Sequence, residues 1–122
     1  MNEVLRPFRN GTRSTFRRFD WSAGALGDPE PLPLGNVLIV DLIGLFHPET
    51  DEHLDLQVWC DVDLETATTW GKARDTGLGR DHSRLWDEVW VPNERDFVAD
   101  FAPHDRADIV LPPVRLAQFA SS

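Results

Sequence analysis

The run Val37-Leu38-Ile39-Val40-Asp41 constrains this chain most. A short, unbroken apolar run closed by a carboxylate is how a strand buried on both faces of a parallel sheet reads. Residues 54–61 (LDLQVWCD) give a second such strand, rich in β-formers at Val58 and Trp59 and closed by Asp61. Residues 107–111 (ADIVL) give a third, ended by Pro112-Pro113. Between the last two, Asp63 is placed to cap a helix running to about Ala73, with Glu65 in its first turn. Residues 74–82 (RDTGLGRDH) are glycine-rich and charged, and predict a mobile loop. Leu85, Trp86, Val89, Trp90, Phe97 and Phe101 then recur at helical spacing across residues 83–101, with Pro92 set to kink or split that helix. The order strand, helix, loop, helix, strand favours an α/β fold around a parallel sheet.

The remainder is less regular. Residues 1–36 scatter Gly, Pro and Ser, with three prolines between Gly27 and Gly35, and read as an irregular arginine-rich segment. Residues 114–122 read as a tail, and no internal repeat is present. A length of 122 residues suits one domain. No apolar run approaches the ~20 residues of a membrane span. The arginines at the start have no apolar stretch behind them, so no secretory signal is expected. The single cysteine, Cys60, sits inside a predicted strand as a small core hydrophobe and offers no disulfide or zinc framework. These features together place the chain in the cytoplasm, with no membrane partner.

Charge is unevenly spread. Residues 1–18 hold five arginines against Glu3, a net of +4, so the other residues carry −13 of the total −9. Neutralising phosphates needs a basic face, so an acidic body argues against nucleic acid as a partner. The arginine-rich start either grips a phosphorylated small molecule or RNA, or is a solvated terminus. His47, His53, His82 and His104 lack metal-ligand spacing and are expected to face solvent. The Trp and Phe stripe of residues 86–101 is expected to be core, not a base-stacking platform. Ligands of parallel sheets sit beyond the carboxyl ends of the strands, which draws attention to Asp41 and Asp61.

From Val37 onward the chain reads VLIVDLIGLFHPE, LDLQVWCDVDLETATTWGKARDTGLGRD, LWDEVWVPNERDF and RADIVLP. This ordered set resembles the uridine kinase-like family of P-loop kinases. That family has an apolar strand ending in an acidic residue, then a strand closing in Asp, a helix leading to an Arg-Asp lid, a helix with an internal Pro, and a closing strand. FRRFDWSAG, upstream, looks like the segment before the family's acidic strand, so the likeness spans about residues 13–113. The resemblance implies an incomplete P-loop NTPase-like parallel sheet with flanking helices over residues 37–113. It implies ATP and Mg²⁺ as cofactors and a nucleoside-like small molecule as the phosphate acceptor. Asp41 matches the Walker B carboxylate, which holds Mg²⁺ or helps activate the acceptor, since Mg²⁺ seeks hard oxygen ligands. Arg74 and Arg80 match the lid that closes over the ATP phosphates, with Lys72 a further lid candidate. Arg17, Arg18, Phe19 and Asp20 fall where the acceptor would be bound.

The departures bear equally on function. No GxxxxGK[ST] loop is present: Lys72 follows Gly71, but no glycine stands five residues before Gly71. That loop supplies the amides, lysine and hydroxyl that hold phosphates and metal. The glycine expected after the Walker B carboxylate is Leu42, and an arginine expected before the lid is replaced at or near Trp70. A sheet without the phosphate-loop strand would leave edges at residues 37–41 and 54–61, which predicts self-association. The expectation is a kinase-like chain, inactive alone, as a truncated product, a mis-started frame or a decayed paralogue. The alternative is a non-catalytic binding or regulatory relic.

Overall fold

The computed structural model describes residues 3–113, so the tail expected at 114–122 lies outside the described residues. The described chain is a mixture of helices and two small sheets, one an antiparallel pair and the other a parallel pair. Its contacts divide it into two units. Among the described residues, the first comprises residues 3–45 and 49–54, the second residues 46–48 and 55–113.

The first unit replaces the irregular start expected from sequence with a short helix and a hairpin. Helix α1 (Leu5–Asn10) stops at Gly11, whose φ of 64° is the left-handed conformation that ends helices. Strands β1 (Thr15–Asp20) and β2 (Ala25–Pro31) pair antiparallel, with a register irregularity between Arg17 and Phe19. The Asp20 carboxylate accepts the backbone N–H groups of Ser22 and Ala23 at 2.8 and 3.1 Å, which organises the connecting turn. Pro29 and Pro31 are tolerated in β2 because a two-stranded ribbon consists of edges. Leu5 and Leu32 are buried in this unit.

Residues 37–41 form no strand, contrary to the expectation. Val37 is 78% exposed and Ile39 88% exposed. A strand exists only when a neighbour takes up its backbone groups, and among the described residues no strand pairs with this run. Beyond it, residues 43–46 turn and the single helical turn α2 (Pro48–Asp51) follows, with the Thr50 hydroxyl donating to the Leu45 carbonyl.

The second unit bears out the parallel pairing of the other two runs, within narrower limits. Strand β3 (Val58–Cys60) lies parallel to β4 (Ile109–Leu111), with Trp59 opposite Val110. The pair is started by a reciprocal clamp. The Gln57 N–H donates to the Asp108 carboxylate at 2.8 Å, while the Asp108 and Ile109 amides donate to the Gln57 carbonyl. Phe46 is buried and meets Trp59 edge to face at 5.6 Å. Cys60 is exposed, so it is not the core residue its apolar neighbours suggested.

Helix α3 (Leu64–Gly77) starts where the sequence placed it. Asp63 has extended backbone and its carboxylate accepts from the Thr66 amide at 2.8 Å. Thr68 and Thr69 are accommodated because their hydroxyls donate to the carbonyls four residues back. The helix does not stop at Ala73. It continues through Gly77, which reduces the expected loop of residues 74–82 to residues 78–82.

Residues 83–101 are helical throughout, as α4 (Ser83–Leu85), a π-helical turn over Trp86–Trp90, and α5 (Val91–Phe101). The disturbance attributed to Pro92 falls just before it. Pro92 has no N–H to give, and the Val91 N–H bonds to the Trp86 carbonyl, five residues back. The stripe is half-buried rather than core, with Trp86 against Trp90 and Phe97 against Phe101, each at 5.0 Å between centroids. Ala102 then adopts a left-handed φ of 42°, and α6 (Pro103–Arg106) leads into β4. No helix among the described residues is long and apolar enough to cross a membrane.

Candidate functional site

The densest polar cluster lies where α3 meets the π-helical turn, and its centre is Asp75. Residues 64, 68, 71 and 75 share one helical face by their spacing. Gly71 and Asp75 on that face are buried. Gly71 is there because nothing larger fits: a Cβ on it would lie 2.2 Å from Cζ2 of Trp86. With the ring seated on Gly71, the Trp86 indole N–H donates to Asp75 Oδ2 at 2.9 Å. His82 Nδ1 stands 3.4 Å from the same oxygen. Arg74 turns back on its neighbour, and its Nε and a terminal nitrogen both donate to Asp75 Oδ1, at 3.3 and 3.2 Å.

Asp75 is only 5% exposed, and burial alone would raise its pKa. The Trp86 hydrogen bond is the largest influence and holds the carboxyl below its ordinary value, with Arg74 and then His82 adding to the same side. Asp75 is therefore a buried, ionised carboxylate. The turn after α3 is tied to it as well, since the Leu78 and Arg80 amides donate to the Asp75 carbonyl at 3.1 and 2.9 Å, and Gly79 takes a φ of 71° to allow this. Asp81 accepts the Ser83 N–H at 3.2 Å just before the next helix, the main cause of its own lowered pKa.

The three lid candidates fall in α3 and in the loop that follows it. Arg74 and Arg80 flank the last turn of α3, and both are exposed. Lys72 lies one turn earlier, its ammonium paired with Asp87 at 2.5 Å. His82 is not the solvent-facing residue expected. It is half-buried, stands beside Asp75, and meets Trp90 edge to face at 5.8 Å. The His53 side chain, only 9% exposed, departs from that expectation too.

The acceptor candidates Arg17, Arg18, Phe19 and Asp20 fall together on β1. Arg18 pairs with Glu30 at 3.2 Å and lies over the Phe16 ring, and Phe19 meets Trp21 edge to face at 4.9 Å. Asp20 is committed to its turn. Asp41 lies in the first unit, exposed and in irregular backbone, whereas Lys72, Arg74 and Arg80 belong to the second.

Mg²⁺ of the kind the resemblance implies is held by carboxylates together with substrate phosphates. Asp41 is exposed in irregular backbone, and among the described residues no three His, Cys, Asp or Glu are grouped to hold a metal. The donor set as it stands does not fit a resident magnesium ion. The arrangement can instead present exposed guanidinium groups to an anion, with a carboxylate behind one of them.

Sequence reasoning passed over Asp75, Trp86 and Glu94. The Arg-Asp dipeptide marked Asp75 only as a partner for Arg74, and Trp86 was assigned to apolar packing. The four-residue spacing of Trp86, Trp90 and Glu94 was the available signal for Glu94, a carboxylate on the aromatic face. Burial raises its pKa. Compared with models of known protein families and with curated proteins, the sequence matches none.

Proposed function

We propose that this chain is the lid-bearing part of a uridine kinase-type phosphotransferase module, able to contact a polyphosphate but not to transfer phosphate by itself. The observation that carries the reading is the path from β3 through α3. The helix leaves the end of a parallel strand and places Arg74 in its last turn and Arg80 in the loop that follows, before the chain returns as β4. Guanidinium groups on a short turn are suited to polyphosphate oxygens, because each offers several donors in a fixed fork. The acceptor would be a nucleoside or a similar small hydroxyl compound, met by Arg17, Arg18, Phe19 and Asp20. The resemblance would give Asp41 the role of the Walker B carboxylate. The absence of GxxxxGK[ST] from the sequence limits the chain to weak anion contact, since that loop supplies most of the phosphate-binding amides.

Two measurements test this. A coupled assay with uridine, cytidine and other nucleosides should show no ADP release from the chain alone; Mg²⁺-dependent release lost on Asp41→Asn would show that the phosphates are held some other way. In heteronuclear NMR, millimolar Mg-ATP should shift the Arg80 side-chain Nε–H resonance. An unchanged Arg80 resonance would remove the polyphosphate reading.

A further inference from the structure

We infer that Arg74 is a two-position guanidinium, latched on Asp75 in the absence of ligand and released to a polyphosphate anion when one arrives. The inference rests on the reading of the α3 turn as a polyphosphate contact and adds a regulatory element to it.

The geometry separates the partners of Asp75 into fixed and expendable ones. Trp86 is fixed, because its ring is seated on Gly71 with no room for a Cβ and its indole N–H reaches Oδ2 at 2.9 Å. His82 is held between Trp90 and Asp75. Arg74 differs: its side chain is 67% exposed, and its two donors crowd onto the single oxygen Oδ1 at 3.2 and 3.3 Å. That is not the two-oxygen fork that makes arginine–carboxylate pairs strong. When Arg74 leaves, Oδ1 loses its side-chain donor, but the carboxylate keeps Trp86 and His82 on Oδ2. Arg74 is thus the exposed partner of a buried carboxylate, 67% exposed against 7% for the Asp75 side chain, and is the donor that can swing into solvent. A polyphosphate offers the guanidinium a fuller set of oxygens than Asp75 does. The carboxylate then acts as an intramolecular competitor, which lowers the affinity of the turn for anions and keeps Arg74 in place until one binds.

The probe is inorganic tripolyphosphate, titrated into the full chain. The Arg74 and Arg80 Nε–H resonances are expected to move, while the Trp86 indole N–H resonance stays in place. If Arg80 moves and Arg74 does not, the latch is wrong although the polyphosphate contact stands. If neither moves, both are wrong. If Trp86 moves with Arg74, the cluster rearranges as a whole and the latch is also wrong. Asp75→Asn, which retains an oxygen acceptor for Trp86, should tighten tripolyphosphate binding by at least about twofold, since it removes the carboxylate that competes for the guanidinium. Unchanged or weaker binding overturns the proposal. So does an equal gain in an Arg74→Ala background, which would trace the effect to general loss of negative charge. If Asp75→Asn does not fold, the resonance titration of the unaltered chain still decides.

Discussion

Residues 37–43 and residues 86–101 are both rich in large apolar side chains, and the structure treats them in opposite ways. In the first run Val37, Ile39, Leu42 and Ile43 remain exposed in irregular backbone. In the second, Trp86, Trp90, Phe97 and Phe101 are half-buried and make ring contacts at four-residue spacing. The difference lies in where the partner comes from. A helix satisfies its own backbone within one turn, so an aromatic stripe needs only a neighbouring helix, which α3 supplies through Gly71. A strand has no internal hydrogen bonds, and residues 37–41 find no strand to pair with among the described residues. Residues 37–43 are the more apolar of the two, yet only the helical region can be satisfied by elements close in sequence.

The largest expected effect falls on the unsatisfied run. The chain should form dimers or larger oligomers at low micromolar concentration, because an exposed apolar segment with no strand beside it recruits backbone partners. Repulsion from the acidic body is screened beyond about 8 Å at physiological salt and does not prevent short-range pairing. Ile39→Lys should shift sedimentation towards the monomer. A single monomeric species in the unaltered chain, with one cooperative thermal transition, would show that the run needs no partner and would break the contrast.

A smaller effect is expected in the helical region. Gly71→Ala puts a methyl group into the Trp86 ring, at a distance no real contact reaches. Overpacking of this kind costs about 1–3 kcal/mol, and the severity of the clash places it towards the upper end. The gain in helix propensity, about 1 kcal/mol, offsets only part of that. The thermal midpoint should fall and the Trp86 indole resonance should move. An unchanged or raised midpoint would mean that Trp86 is not seated on Gly71.

The smallest effect is a pH dependence that sharpens the picture of the same region. The Asp63, Asp75 and Asp81 carboxyls are held below their ordinary values, Asp63 mainly by the Thr66 hydroxyl. Their contribution to stability is complete above the unfolded value of about 4 and is lost as pH falls through the lowered folded values. Glu94 is opposite in sign, since burial raises its pKa. Its contribution is most favourable below the unfolded value and is lost as pH rises through the raised one. Glu94→Gln should therefore raise the thermal midpoint at neutral pH, and Asp75→Asn should flatten the acid limb of the stability profile. A midpoint lowered by Glu94→Gln at pH 7 would show that the carboxylate has a partner worth more than its burial cost.

Much of what the sequence determined is local. The cap at Asp63 follows from a short acceptor placed three residues before the Thr66 amide. The π-helical turn before Pro92 follows from a missing N–H. The β-character of Val58 to Cys60 and Ile109 to Leu111 follows from their apolar runs, and the parallel pairing follows from the helices between them. What only the tertiary structure decided depends on contacts between distant or competing elements. The hairpin of residues 15–31 prevails over a proline-rich composition because the two strands pair with each other. Helix α3 extends past Ala73 despite Gly77 because Asp75 is held by Trp86 and His82 from the next helical segment. Residues 37–41, the most strand-like run in the sequence, form no strand, because a strand's hydrogen bonds lie outside itself and no periodicity in its own residues can supply the neighbour that accepts them.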